Sequence, residues 1–196
     1  MDDSDSRCDY WNPSECTGTP FCPPRCPRFV DGEETPLLVR RYEEQEFDAV
    51  VRMYEDLDPT NRTMGLPPAS RERLEQWLTN FIEDGWNLVA VDDDRVVGHV
   101  GVVPATTEAP QFVIFVQDDY QNRGVGSELI KQLIASAADR GHDALQLDVA
   151  KENRRAISVY RNVDFEVTER KGMGLSMELS LDAAIAEAVQ RPPAER

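Results

Sequence analysis

The chain is predicted to form a mixed α/β fold, a central mixed sheet with helices on both faces. Three observations carry that prediction. Strand-like and helix-like patterns alternate across residues 37–180. Residues 112–116, Phe-Val-Ile-Phe-Val, have the character of a central strand buried on both faces. The element order β-α-α-β-β-β-α-β-α-β-β fits a sheet flanked by helices rather than an all-β or all-α domain.

Each element has its own signal. Leu37-Leu38-Val39-Arg40 reads as a first strand, and Phe47, Val50, Val51 and Tyr54 then recur at helical spacing. Asp58-Pro59 and Gly65-Leu66-Pro67-Pro68 interrupt the chain, and a second helix is expected over residues 69–82. Residues 88–91 and 96–103 form a hairpin about the turn Asp92-Asp93-Asp94-Arg95. After the apolar run comes a helix over residues 124–140, marked by Leu129, Ile130, Leu133, Ile134 and Ala137 on one face and stopped by Gly141. Leu145, Leu147 and Val149 alternate as a strand, and Asn153 caps a helix running to about Asn162. Residues 165–170 and 174–181 close the domain as two strands.

Composition narrows the function classes. The 196 residues carry 37 acidic and 21 basic side chains, a formal net charge of −16. Only Lys131, Lys151 and Lys171 are lysines, and an acidic, lysine-poor surface suits a salt-rich cytoplasm such as that of a halophilic archaeon. Nucleic acid is a poor partner for so negative a chain, because its phosphates demand Lys and Arg. No apolar run approaches the ~20 residues of a bilayer span, so no membrane partner is expected. The opening Met1-Asp2-Asp3-Ser4-Asp5 lacks the basic start of a secretory signal, which makes the cytoplasm the expected location. Oligomeric state is not encoded in any pattern here; a homodimer is the commonest assembly among oligomers. Three zones divide the chain: a Cys- and Pro-rich arm at 1–35, the patterned domain at 36–181, and an Ala-rich tail at 182–196, expected to be a short helix with a frayed end.

The chemistry concentrates where the apolar strand gives way to a helix, Val116-Gln117-Asp118-Asp119-Tyr120-Gln121-Asn122-Arg123-Gly124-Val125-Gly126-Ser127. Gly124 and Gly126 let the backbone approach a ligand closely, and the helix start offers unpaired N–H donors and the positive end of its dipole. Arg123 adds a fixed positive charge. A Rossmann fingerprint is excluded because position 129 is Leu, and a P-loop because no Gly-Lys-Ser/Thr follows.

Gln121-Asn122-Arg123-Gly124-Val125-Gly126 resembles the Gln/Arg-x-x-Gly-x-Gly/Ala acyl-CoA pyrophosphate motif of the GNAT N-acetyltransferases. Asn153-Arg154-Arg155-Ala156-Ile157-Ser158-Val159-Tyr160 is similar to that family's Asn-x-x-Ala-x-x-x-Tyr helix, and the element order matches over about residues 37–180. Asp164-Phe165 departs from the usual Gly-Phe. The resemblance implies the GNAT acyl-CoA N-acyltransferase fold. It also implies acetyl-CoA as cosubstrate and a primary amine as acceptor, either a protein N-terminus or lysine or a small amine. On this reading the pyrophosphate rests on the backbone of Gln121, Asn122, Arg123, Gly124, Val125, Gly126 and Ser127. The pantetheine arm pairs like an extra strand near Phe115, Val116 and Gln117, and meets Asn153, Ala156 and Tyr160, with Arg154 or Arg155 near the phosphates. The residues 65–68 are expected to shape the acceptor side.

Direct attack of the amine on the thioester requires an oxyanion donor, a proton for the leaving thiolate and a base. A backbone N–H near Val116 serves the first need, and the Tyr160 hydroxyl, pKa near ~10, the second. Glu108 is the candidate base, directly or through a water, with His99 the other candidate.

Cys8, Cys16, Cys22 and Cys26 crowd the arm with seven, five and three residues between them. Four thiolates can complete a tetrahedral zinc site, although no Cys-x-x-Cys knuckle is present; unpaired or redox-active thiols and an iron–sulfur cluster are the other readings. A non-catalytic acyl-CoA-binding or metal-responsive regulatory protein is the alternative class, kept open by the absence of an obvious base.

Overall fold

The computed structural model describes residues 18–22, 24–59 and 66–190. Within them run β1 (Arg28–Val30), β2 (Pro36–Arg41), α1 (Phe47–Glu55), α2 (Arg71–Glu83), β3 (Trp86–Asp92), β4 (Arg95–Val103) and β5 (Gln111–Val116). Then follow α3 (Val125–Asp139), β6 (Ala144–Ala150), α4 (Arg154–Arg161), β7 (Glu166–Lys171), β8 (Gly174–Ser180) and α5 (Ala183–Gln190). The strands form one sheet in the order β1-β2-β3-β4-β5-β6-β8-β7. All its pairings are antiparallel except the parallel contact of β5 with β6. The sheet is mixed, as its patterning predicts.

Two apolar layers sandwich it. Leu129, Leu133 and Ile134 of α3, with Ile157 and Tyr160 of α4, pack on Leu88, Val100, Phe112, Leu145 and Leu147 on one face. Val50, Val51 and Tyr54 of α1 and Leu74 and Leu78 of α2 cover Val89, Val91 and Val96 on the other. Removing each such side chain from water contributes roughly 1.5–3 kcal/mol. A buried ion pair ties the periphery to this core. Arg25, 1% exposed, donates through Nε and Nη2 to Glu128 of α3 at 2.8 and 2.9 Å, and through Nη1 to the Val189 carbonyl of α5.

Two expectations change. The sheet starts inside the arm, since Arg28 and Phe29 pair with Leu38 and Leu37; three residues among prolines are too few to show a period. Position 35 is therefore no structural boundary. The Ala-rich tail carries the short helix expected of it, α5, which buries Val189 against the core; residues 191–196 lie outside the description. Finally, β5 is not buried on both faces: Phe112 is, but Val113, Ile114, Phe115 and Val116 are only half-buried. The cause is a gap beside it.

Candidate active site

That gap is the candidate site. β4 pairs with the whole of β5, from Val103↔Gln111 to Gly98↔Val116. β6 pairs with it only at Gln111↔Gln146, after which the two strands part. Antiparallel backbone groups alternate in direction, and the Gln117 N–H bonds the Val97 carbonyl at 2.9 Å. Odd-numbered groups of β5 therefore face β4, and even-numbered ones face the gap. Of the three residues expected to pair with a pantetheine arm, Phe115 and Gln117 point their N–H groups into the β4 ladder. Val116 and, two residues earlier, Ile114 point theirs into the cleft. The Val116 carbonyl already accepts Gln121 Nε2 at 3.1 Å, leaving the N–H as its open group.

At the end of β5, Asp118–Tyr120 makes a short 3-10 turn and Gly124 caps α3 with φ +89°, a left-handed conformation that favours glycine. Asn122 is also left-handed, at φ +61°. Val125, Gly126 and Ser127 occupy the first turn of α3, where N–H groups lack helical partners. The Val125 side chain is buried in the core, so its part is its backbone alone. A Cβ at Gly126 would come no closer than 3.7 Å to Val116 Cγ2, an ordinary contact, so the chain itself does not demand glycine there. A nest of N–H donors suits a phosphate oxygen.

The charges beside the nest differ from expectation. The Arg123 guanidinium is engaged elsewhere: it bonds Asp31 (2.6 Å from Nε), the Thr35 hydroxyl (2.8 Å) and Glu33 (3.2 Å), and lies 4.4 Å from the Tyr120 ring centroid. It fastens the β1–β2 hairpin to the loop, reinforced by the Gly32 N–H donating to the Arg123 carbonyl at 2.8 Å. Arg155 of α4 takes the exposed position instead. It donates to Asn122 Oδ1 at 2.5 Å and to Gln121 Oε1. Both partners are neutral amides, and no ion pair to Arg155 is formed among the described residues.

Asn153 Oδ1 accepts the Ala156 N–H at 3.1 Å, the expected cap of α4, and its Nδ2 remains as a donor at the helix start. Tyr160 is 7% exposed and sits edge-on to Phe112 of β5, ring centroids 6.1 Å apart. Burial pushes its hydroxyl well above the ordinary tyrosine value, so it stays a proton donor. Asp164, in place of the expected glycine, has φ +67°, one of the few positions where a short polar side chain substitutes for glycine.

Neither expected base borders the cleft. Glu108 is an exposed residue of the loop before β5, and its carbonyl accepts the Asp143 and Ala144 N–H groups where β5 and β6 are still joined. His99 is 2% exposed, with Nδ1 2.8 Å from the Tyr54 hydroxyl and Nε2 3.1 Å from Asn87 Oδ1. Asn87 Nδ2 donates to the Phe81 carbonyl, so Oδ1 is its acceptor; His99 Nε2 carries the hydrogen and Nδ1 accepts from Tyr54. Burial holds the imidazole down at about 3, neutral at physiological pH. The carboxylate that does border the cleft is Asp148. Leu145, Leu147 and Val149 turn to the core, so Asp148 projects from the opposite face, exposed and accepting Ser176 Oγ at 2.6 Å. Two residues beyond the Gln111↔Gln146 partnership, it lies level with Val113, where the strands part. The alternation placed it on that face; only the parallel register, which no local pattern encodes, puts it at the cleft.

In the arm, Cys22 Sγ lies 3.4 Å from Thr19 Oγ1, and the Cys26 carbonyl accepts Gln132 Nε2 at 2.7 Å. Cys8 and Cys16 lie outside the described residues. Among the described residues no group of three or more His, Cys, Asp or Glu side chains is placed to hold a metal ion. No helix among them is long and apolar enough to cross a membrane.

Comparison with known proteins agrees with this geometry. Residues 50–165 match the model of the acetyltransferase (GNAT) family. The chain is 27% identical to L-amino acid N-acetyltransferase AaaT of Escherichia coli K12 over 137 residues, 67% of this chain and 83% of that protein. It is 36% identical to the [ribosomal protein bS18]-alanine N-acetyltransferase of Salmonella typhimurium over 86 residues, 43% of this chain and 58% of that one. Among solved structures, the GNAT domain of S. lividans PAT superposes with a TM-score of 0.67 at 20% identity, covering 78% of this chain and 95% of that domain.

Proposed function

The chain belongs to the acetyltransferase (GNAT) family and is an acetyl-CoA-dependent N-acetyltransferase; on that premise we propose that it acetylates primary amines of proteins or peptides by direct transfer within the β5–β6 cleft. The observation that supports this reading is the parting of β6 from β5 beside Val116, opening backbone donors next to the Gly124 nest. Acetyl-CoA supplies an activated thioester. The first-turn N–H groups of Val125, Gly126 and Ser127 and the Arg155 guanidinium hold its phosphates, while Asn153 and the half-buried edge of β5 hold the pantetheine. Asp148 takes a proton from the incoming ammonium, and the freed amine nitrogen forms the new C–N bond. A cleft-facing N–H of Ile114 or Val116 stabilises the oxygen that gains negative charge. As the C–S bond breaks, Tyr160 gives its proton to the sulfur, the nitrogen's second proton passes to solvent, solvent reprotonates Tyr160, and Asp148 releases its proton to solvent, so one acetylated amine, one CoA thiol and one net proton leave.

The open acceptor face, bordered by Asp148, Gln146 and Glu178 with Gln146 Nε2 donating to Glu178 at 2.7 Å, carries acidic groups that favour a cationic acceptor. Thiol release from acetyl-CoA across a panel of peptides and small amines, with mass spectrometry of the product, tests the proposal. Acetylated peptide is expected; binding with no turnover on any amine overturns it. The same proposal places the enzyme in a cytoplasm of high salt, where its melting temperature rises with KCl; a fall with KCl contradicts that. Zinc on Cys8, Cys16, Cys22 and Cys26 is likewise proposed from spacing alone, and metal analysis of the purified protein against a Cys22→Ser variant decides it: less than a tenth of an equivalent ends it.

A further inference from the structure

The turn into α3 holds two left-handed residues, Asn122 at φ +61° and Gly124 at φ +89°, on either side of Arg123. A free loop rarely keeps such a pair, because fixing each backbone costs conformational entropy and the left-handed region disfavours an L side chain. The β1–β2 hairpin supplies the constraint from outside. The Gly32 N–H donates to the Arg123 carbonyl at 2.8 Å, between the two left-handed residues. The Asp31 carboxylate, with 0% side-chain exposure, divides its oxygens. Its Oδ1 accepts the Glu33 and Thr35 N–H groups, both at 2.9 Å, and closes the hairpin turn. Its Oδ2 accepts Arg123 Nε at 2.6 Å and Nη2 at 2.5 Å, and so grips the loop. The Thr35 hydroxyl adds a bond from Arg123 Nη2 at 2.8 Å. Phe29 of β1 backs the turn: a Cβ at Gly124 would stand 3.4 Å from Phe29 Cζ. The same segment is fastened further along α3, where Arg25 pairs with Glu128 and the Cys26 carbonyl accepts Gln132 Nε2.

We propose that Asp31 is a positioning residue for acetyl-CoA, holding the phosphate-binding turn in its binding conformation through Arg123. This rests on the proposal that the turn into α3 receives the cofactor's phosphates. A loop already fixed by the hairpin loses less freedom when the cofactor arrives, so affinity depends on residues that do not touch it. The sign separates this role from its rival. Were Arg123 a direct phosphate ligand restrained by Asp31, removing the Asp31 charge would free the guanidinium and tighten acetyl-CoA. As a link in a strap, Arg123 released from Asp31 lets the turn wander and acetyl-CoA binds more weakly. Linkage runs both ways: acetyl-CoA seated on the turn steadies the hairpin at residues 31–35 by the same factor.

Isothermal titration of acetyl-CoA into the full chain tests this. Asp31→Asn keeps the side chain's size but sets an amide NH2 against the turn N–H groups or the guanidinium, all of them donors. Its acetyl-CoA affinity is expected to fall at least fivefold, and the KM for acetyl-CoA to rise in step while kcat at saturation stays within threefold. A merely structural Asp31 would lower the melting temperature without moving that KM. Arg123→Met is expected to lose as much, and the double variant no more than either single, because both cut one link. Hydrogen exchange in the parent chain needs no variant to fold: saturating acetyl-CoA should slow the Gly32, Glu33 and Thr35 amides at least fivefold. An Asp31→Asn affinity within fivefold of the parent's or tighter, a loss confined to kcat, additive losses in the double variant, or exchange at residues 31–35 untouched by acetyl-CoA overturns the proposal. Gly126→Asp keeps the underlying reading separate: it should lose acetyl-CoA whatever Asp31 does, and only parental affinity in that variant would remove the loop itself.

Discussion

Replacing His99 by glutamine separates a structural histidine from a catalytic one. In the folded protein the imidazole is neutral, held down at about 3 by burial, against an ordinary value of 6.5. Below pH 6.5 the unfolded chain takes up a proton that the native chain refuses, so stability is full above that pH and declines as pH falls toward 3. The decline is about 1.4 kcal/mol per pH unit, or about 2 kcal/mol at pH 5. For a chain of this size that corresponds to a melting temperature lower by roughly 4–8 °C from this group alone. The variant keeps a donor toward Asn87 and leaves the Tyr54 hydroxyl without its acceptor, a constant cost of about 1–3 kcal/mol. Thermal denaturation from pH 8 to 5 should therefore show a lower melting temperature at every pH but a shallower acid slope. Turnover at pH 8 should stay within a few-fold, because Tyr54, at 0% exposure, and Asn87 shut the ring away from solvent. An acid slope equal to the parent's would refute the burial argument. Loss of turnover beyond a hundredfold with melting intact would make His99 the base after all.

The other expectations are briefer. Arg25→Met breaks the buried ion pair with Glu128 and should cost about 3–5 kcal/mol, a fall of roughly 10 °C in melting temperature; a loss under 1 kcal/mol contradicts the reading of this pair as a staple. Tyr160→Phe should lower kcat on the order of 10²-fold with acetyl-CoA affinity within a few-fold, measured by thiol release and titration; equal kcat removes Tyr160 from the chemistry. Asp148→Asn should lower kcat/KM on the order of 10²-fold, whereas Glu108→Gln should leave it within a few-fold; the reverse pattern returns the base to Glu108.

What the sequence made legible is local. The apolar run 112–116 followed by Gln121-Asn122-Arg123-Gly124-Val125-Gly126 announces a strand, a tight loop and a helix start, and φ +89° at Gly124 is the conformation such a turn requires. Asn153 caps α4 as its position before the amphipathic stretch suggests. What stayed hidden depends on residues far apart in the chain. Arg123 is held by Asp31, 92 positions away, on a hairpin too short to show periodicity. His99 looks like a free imidazole until Tyr54 and Asn87 close around it. The parting of β5 from β6 leaves β5 half-buried although its composition is that of a core strand. Asp148 belongs to the cleft only because a single parallel register point sets it there.

The central claim is that the turn into α3 grips the phosphates of acetyl-CoA, and Gly126→Asp tests it most directly. A Cβ fits at this position, and a carboxylate in the first turn of a helix stabilises it by about 0.3–1 kcal/mol. The same charge would stand where phosphate oxygens must lie. Isothermal titration should give one acetyl-CoA bound per parent chain, and an affinity at least a hundredfold weaker in a variant that melts no lower. A folded variant that binds acetyl-CoA as tightly as the parent would place the cofactor somewhere other than this loop.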